Sequence, residues 1–314
     1  VSLKDLNWRH LKLISLYSSR HAIRGGTGIV FAILVFSTGL LIAHLILQPM
    51  EMMKQQSRDQ SGYEMNDKQA MDVVVRITRP VVAWAVEGGA NKEKSQIRTD
   101  LQSDKKLDWP SFLLDKKPAL LSAIFLIMIF VAPFLVALGA FNQFSGDVQS
   151  RGLRYQLFRT ERTNIFFGRF VGTAIFTFSL MAFLIAIIAL YLGLKVNLYE
   201  GSTLIGWSLR GVFALCIVCL PYIALCSLIS VMIDSPFGSL TINSLIISCV
   251  PFFAYIAKTQ WEPAGVIKYA LPWGVQSYLL HYNPLVVTGA VAACLGYTVV
   301  FLLLGHLYFC RRDL

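Results

Sequence analysis

The sequence predicts an all-α polytopic membrane protein with six transmembrane helices. An N-terminal interfacial helix precedes them, and a long outer-loop module separates helices 1 and 2. Three observations carry this expectation. Of the 314 residues, 55% are hydrophobic and 15% charged, with a mean hydropathy of +0.59. An average soluble domain is about 45–50% apolar and about 25% charged. Uncharged stretches run over 25–50, 118–146, 170–194, 211–233, 235–257 and 269–310, and a spanning helix needs about 20 mostly apolar residues. These runs are solid, which argues against the alternating strands of a membrane barrel. The same composition excludes a disordered chain, a collagen and a disulfide-stapled secreted scaffold.

The elements follow in order. Residues 1–24 read as a cytoplasmic interfacial helix. At about 100° per residue, Leu3, Leu6, Leu13, Ile14 and Tyr17 share one side and Asp5, Arg9 and Lys12 the other. Arg24-Gly25-Gly26 breaks this helix and turns the chain into the first span, 25–48. A charged start and a long first apolar run predict no cleavable leader. The extracytoplasmic module 49–117 contains an apolar-rich stretch, 71–86, too short and too charged to span. Its Val73-Val74-Val75 suits a helix or a strand. Gly88-Gly89 ends it, and 91–108 is highly charged.

The second span is expected at 118–146 and the third at 170–194. Between them lies a short basic loop, 147–169. Leu153, Leu157 and Phe158 are interleaved there with Arg151, Arg154, Arg159 and Arg162. That pattern suits a helix along the inner surface offering charge to a soluble partner, and also a plain positive loop. Spans four (211–233) and five (235–257) meet at the turn Asp234-Ser235-Pro236. Pro272, Trp273 and Pro284 interrupt the last uncharged run. This leaves an outer loop at 258–284, a sixth span at 285–310 and a tail at 311–314. The outer loop is either a re-entrant gate or an interfacial aromatic belt.

Basic residues set the expected orientation. With both termini cytoplasmic, the short inner pieces hold 12 Lys and Arg and the short outer loops 4, as the positive-inside rule requires. The net charge of +10 then reads as membrane orientation, and no nucleic-acid partner is expected. All six cysteines fall in or at the end of spans. No disulfide framework follows, and Cys216 and Cys219 read as packing thiols.

The spans are nearly free of ionisable groups. His44 and His306 lie well inside them, and Asp234 sits at a turn. Ion-coupled carriers build their sites from intramembrane carboxylates and lysines, so that class is disfavoured. No GxxxxGK[ST], HExxH or GxSxG pattern occurs. The chain is not expected to be an enzyme by itself, and energy for uphill movement has to come from another chain.

One stretch carries a resemblance. It runs from Asp147 through Gly152-Leu153-Arg154-Tyr155-Gln156-Leu157-Phe158-Arg159-Thr160-Glu161-Arg162 to Gly168-Arg169. This resembles the connection between the second and third spans of ABC-2-type transporter permeases. There an acidic residue precedes Gly-Thr-Leu and a leucine-rich helix, followed by Pro-x-Ser-Arg, an apolar triplet and Gly-Lys. Glu161 stands where that pattern has Ser, and the Thr and Pro are missing. The ending Arg311-Arg312-Asp313-Leu314 is similar to a tail common in these permeases.

The resemblance implies a permease subunit of an ATP-driven export complex in the bacterial inner membrane. Asp147, Arg151, Arg154, Arg159, Glu161 and Arg162 would meet a cytoplasmic ABC ATPase, which alone would bind ATP and Mg. A second permease copy or homologue would complete the translocation path. Phe141, Asn142, Asn243, Phe252, Tyr269 and Trp273 are the candidate path or gate positions. They suit an amphipathic or lipid-like cargo. An alternative role is mechanotransmission, in which the ATPase acts through 49–117 on an envelope partner. Membrane lipids are expected partners in either case.

Overall fold

The computed structural model describes residues 8–24, 26–61, 69, 73, 75–76, 79, 109–115, 117–150, 152–158, 160–195, 199–260, 266 and 268–312. Arg151 and Arg159 lie outside the described residues, as does most of 62–108. Of the described residues, 91% are helical and none is in a strand. Among the described residues, six helices are long and apolar enough to cross a membrane. The described residues are therefore all-α, with the build of a multi-pass membrane protein.

The helices are α1 (Trp8–Arg24), α2 (Gly26–Ser61), α3 (Trp109–Asp115), α4 (Ala119–Ala140), α5 (Ser145–Gln149), α6 (Gly152–Leu157), α7 (Arg162–Lys195), α8 (Gly201–Met232), α9 (Pro236–Gln260) and α10 (Pro284–Arg311). The 3₁₀ turns Pro272–Gly274 and Gln276–Leu280 precede α10. The spanning helices are α2, α4, α7, α8, α9 and α10.

Several boundaries differ from the sequence-based expectation. Backbone hydrogen bonding does not stop where the apolar run stops. The 36-residue α2 continues through Pro49 into the segment assigned to the outer module. At 1.5 Å per residue it is about 54 Å long, against a hydrocarbon core of about 30 Å. Helix α7 starts at Arg162, so the end of the expected loop 147–169 belongs to the third span. The fourth spanning helix starts at Gly201 rather than 211. The expected span 118–146 breaks after Ala140, and residues 141–144 form a turn before α5.

The core centres on α8, which packs against α10, α4, α7 and α9. It carries few polar side chains and uses them to reach its neighbours. Trp207 donates from Nε1 to Ser122 Oγ of α4 at 2.9 Å. Tyr222 donates to Gln276 Oε1 at 3.2 Å. Gly211 faces the Phe125 ring, which occupies the space a Cβ would need. The rest of its buried face is largely apolar, with Leu215, Val218, Ile223 and Cys226 fully buried.

Helix α1 packs lengthwise on the first half of α7. Gly168 and Gly172, one turn apart on α7, make this approach. A Cβ on Gly168 would lie 2.7 Å from Ile14, and one on Gly172 would lie 2.7 Å from the Ser15 carbonyl. Small residues at this spacing let helix backbones close in. The side of α1 that is buried therefore differs from the expected apolar stripe. Ile14, Ser15 and Ser19 turn inward, while Leu13, Leu16 and Tyr17 are exposed beside Arg9, Lys12 and Arg20.

These glycines yield a stability expectation. Alanine at Gly168 or Gly172 should lower the thermal midpoint in detergent, with a penalty of about 1–3 kcal/mol for overpacking. Gly296→Ala, on open space in α10, should leave it unchanged or raise it, because alanine is the better helix former by about 1 kcal/mol. Equal responses at the three positions would contradict the assigned packing.

Candidate functional site

The turn at 141–144 and the short helices α5 and α6 form an elbow between α4 and α7. Breaking a helix leaves backbone groups without partners, and burying them unpaired is costly. Side chains from three helices, and one from the turn itself, supply the missing partners here. Ser230 Oγ of α8 accepts from the Phe144 and Ser145 amides at 2.9 and 3.0 Å. Ser239 Oγ of α9 donates to the Phe141 carbonyl at 2.9 Å. Asn142 Oδ1 accepts from the Gly146 amide at 2.8 Å. Arg169 of α7 donates to the Gln143 carbonyl.

Arg169 is the pivot of the elbow. Its guanidinium also pairs with Asp147 of α5 and donates to Gln156 Oε1 of α6 at 2.8 Å. It lies over the Phe144 ring, 5.3 Å from the centroid. One planar cation thus holds a loop carbonyl, a carboxylate, an amide and an aromatic face, a set that a lysine cannot match. Its side chain is 10% exposed, while that of Asp147 is 41% exposed.

Two further arginines bind helix ends. The last carbonyls of a helix have no partner within it. Arg162 Nη1 reaches those of Phe309 and Cys310 at 3.2 and 2.9 Å, and the carbonyl of Arg312 just past the helix at 2.8 Å. Arg312 pairs with Asp234 and donates to the Val231 carbonyl at the end of α8. Beneath these polar ties, Phe144, Leu153, Ile165, Phe166, Val231 and Phe309 form a buried cluster. His306 meets Thr163 Oγ1 at 3.1 Å and Cys310 Sγ at 3.5 Å.

The outer side of the elbow has a different character. Leu153 anchors α6 in the cluster. Tyr155 and Phe158 project outward, 76% and 88% exposed. Glu161 is exposed as well, and Thr160 bonds His10 of α1 at 3.2 Å. Of the residues expected to meet an ATPase, Asp147 and Arg162 therefore have interior partners. Arg154 lies on α6 and Glu161 at the mouth of α7. Ser230, Ser239 and Gln143, whose Oε1 accepts from Ser227 of α8, were not among the expected site residues. Single serines in an apolar run carry no local signal of which backbone group they will reach.

The candidate path residues fall in three places. Phe141, Asn142 and Asn243 lie at the elbow. Asn243 is buried and donates to the Ser239 carbonyl at 2.9 Å, and its Oδ1 has no partner. Phe252 is exposed on α9, edge-on to Phe253. Tyr269 and Trp273 belong to the segment before α10. The Tyr269 carbonyl accepts from Tyr297, halfway along α10. Trp273 stacks on Phe130 and lies edge-on to Tyr222. The chain then returns to His281, whose carbonyl accepts from Arg210. Burial first, then nearby Arg210, pushes the His281 imidazole below its ordinary pKa, so its neutral Nδ1 can accept from the Asn283 amide at 3.0 Å. Asn283 caps α10 through the Leu285 amide. Among the described residues, no three His, Cys, Asp or Glu side chains form a group that could hold a metal ion.

The elbow predicts unequal costs for two ion pairs. Asp147→Ala leaves the Arg169 guanidinium under-partnered in a mostly buried position. It should destabilise the protein by about 1–3 kcal/mol. Glu51→Ala removes a pair with Lys195 that is exposed at both ends and should change stability by less than about 1 kcal/mol. Thermal unfolding of the two variants in one detergent compares them, and a larger effect at Glu51 would refute the ranking.

Comparison of the sequence with known protein families and with curated proteins finds no match.

Proposed function

We propose that this chain is a permease subunit of an ATP-driven ABC export complex in a bacterial inner membrane, with both termini cytoplasmic. The observation that carries the reading is the elbow. The turn at 141–144 is held to α7, α8 and α9 by polar ties, the short helix α6 after it is tied to α7 through Gln156 and Arg169, and Tyr155 and Phe158 are exposed. An element of this build can take up a push from a soluble partner and pass it on. The sequence has no nucleotide-binding loop, so ATP and Mg would belong to that partner. The docking surface would be built around Tyr155, Phe158 and Glu161, all exposed, with Arg151, Arg154 and Arg159 nearby in the chain. Asp147 and Arg162 would act one layer deeper, as transmitters.

Movement of α6 would reach α7 through Arg169, α8 through Ser230 and α9 through Ser239. Arg162 would carry it to α10. A second permease copy or homologue would close the path, and the apolar lining expected around Trp273 suits an amphipathic cargo. One observation favours the mechanotransmission alternative. Helix α2 extends well past its apolar run and is tied to the end of α7 by Glu51 and Lys195, 3.0 Å apart. A stiff helix of this kind could act as a lever on a partner at 49–117.

Two experiments test the proposal. The tagged chain should co-purify with an ABC ATPase from its native membrane. Arg154→Glu with Arg159→Glu, or Tyr155→Asp with Phe158→Asp, should abolish recovery without lowering the thermal midpoint. Undiminished recovery with both pairs would defeat the docking assignment. For topology, single cysteines replace Tyr155 and Gly201, both exposed, in a cysteine-free background. An impermeant thiol reagent added to intact cells should label position 201 and spare position 155. The reverse pattern would invert the orientation.

A further inference from the structure

A groove of about 550 Å³ lies where α1, α2 and α7 meet, and it belongs to none of the sites above. Ile23 of α1, Gly28, Ile29, Ile33 and Phe36 of α2, and Phe176 of α7 form its walls, with hardly any polar surface. It is open on one side. Ile23, Ile29 and Ile33 are each more than half exposed. Its floor follows from local sterics. At the α1–α2 corner Gly28 presses against the Ala22 carbonyl, with no room for a Cβ, so the two helices stay close there.

The surroundings identify what fills it. An unfilled concave apolar surface forfeits dispersion contacts, and the solvent beside a spanning helix is lipid. The groove spans the first turns of α2, next to α1. Along α1 the exposed residues Lys12, Leu16, Arg20 and Ile23 form one stripe. Arg20 is three residues from Ile23, and such residues are neighbours on a helix surface. An exposed cation therefore stands one turn from the groove wall, within reach of the headgroup of a chain lying in the groove. Amphipathic helices with basic faces favour anionic lipids.

We infer that the groove is a binding site for one acyl chain of an anionic phospholipid, with its phosphate held at Arg20. The site depends only on the membrane setting of the chain and stands whether or not the permease reading does. Arg20 sets headgroup preference, and the α2–α7 walls hold the chain. Bound lipid would also fix α1 against α2, since it touches Ile23 and the start of α2 together.

The test uses the full chain in nanodiscs of phosphatidylglycerol and phosphatidylcholine, equimolar and with identical acyl chains. Lipid retained after detergent exchange is then read by native mass spectrometry. Phosphatidylglycerol should be retained at least fivefold over phosphatidylcholine. Arg20→Gln should reduce that preference below twofold while a chain is still held. Ala32→Phe, which fills the groove, should cut total retained lipid at least fivefold. Ile33→Trp serves as an independent filler should the first variant misfold. Leu190→Phe, exposed elsewhere on α7, should change nothing. Equal retention of the two lipids by the parent chain, or retention unaffected by both fillers, would overturn the site. A dimer that dissociates on either filler substitution would assign the groove to a second copy and overturn it as well.

Discussion

A chain surrounded by lipid has to satisfy its own backbone hydrogen bonds, and the break in α4 is where this constraint shapes the molecule. A straight α4 would need no help. The turn at 141–144 frees two amides and two carbonyls, and Ser230, Ser239 and Arg169 answer them from α8, α9 and α7. Three spanning helices are thereby referenced to one turn. The position of α5 and α6, and the exposure of Tyr155 and Phe158, follow from it.

The arginines at this end do different work from that suggested by their charge. Counted as positive residues, they set the expected orientation of the chain. Placed in the structure, Arg162 and Arg312 spend their donors on the last carbonyls of α10 and α8. The guanidinium suits this task because its donors lie in one plane and it keeps its charge when partly buried. A serine in the same place would reach one carbonyl. Arg162 reaches three, and so couples the start of the third span to the end of the sixth.

The opposite end is held by aromatic packing. Trp109 of α3 stacks on Tyr278 at 5.3 Å, and Phe112 meets Trp207. Trp273 fills the space between α4 and α8. Rings contribute area and geometry at little conformational cost. The result is one end tied by directional hydrogen bonds and another packed by rings.

Much of the architecture is legible in local composition. Solid apolar runs specify spans because transfer into hydrocarbon depends on each segment alone, so the six helices and the all-α class follow without knowledge of their neighbours. The basic, leucine-bearing connection at 147–162 is visible for the same reason. Helix ends are less legible, because hydrogen bonding carries α2, α7 and α8 past their apolar limits. The buried side of α1 depended on Gly168 and Gly172, far away in sequence. The inward roles of Asp147 and Arg162 likewise rest on partners brought close only by folding. Ser230 meets Phe144 across 86 positions, and Arg162 meets Arg312 across 150. The sequence by itself determined which segments enter the membrane, since that is a property of each segment. Only the tertiary structure decided which polar groups bind one another there, since a hydrogen bond needs two partners within about 3 Å and no local pattern encodes the second.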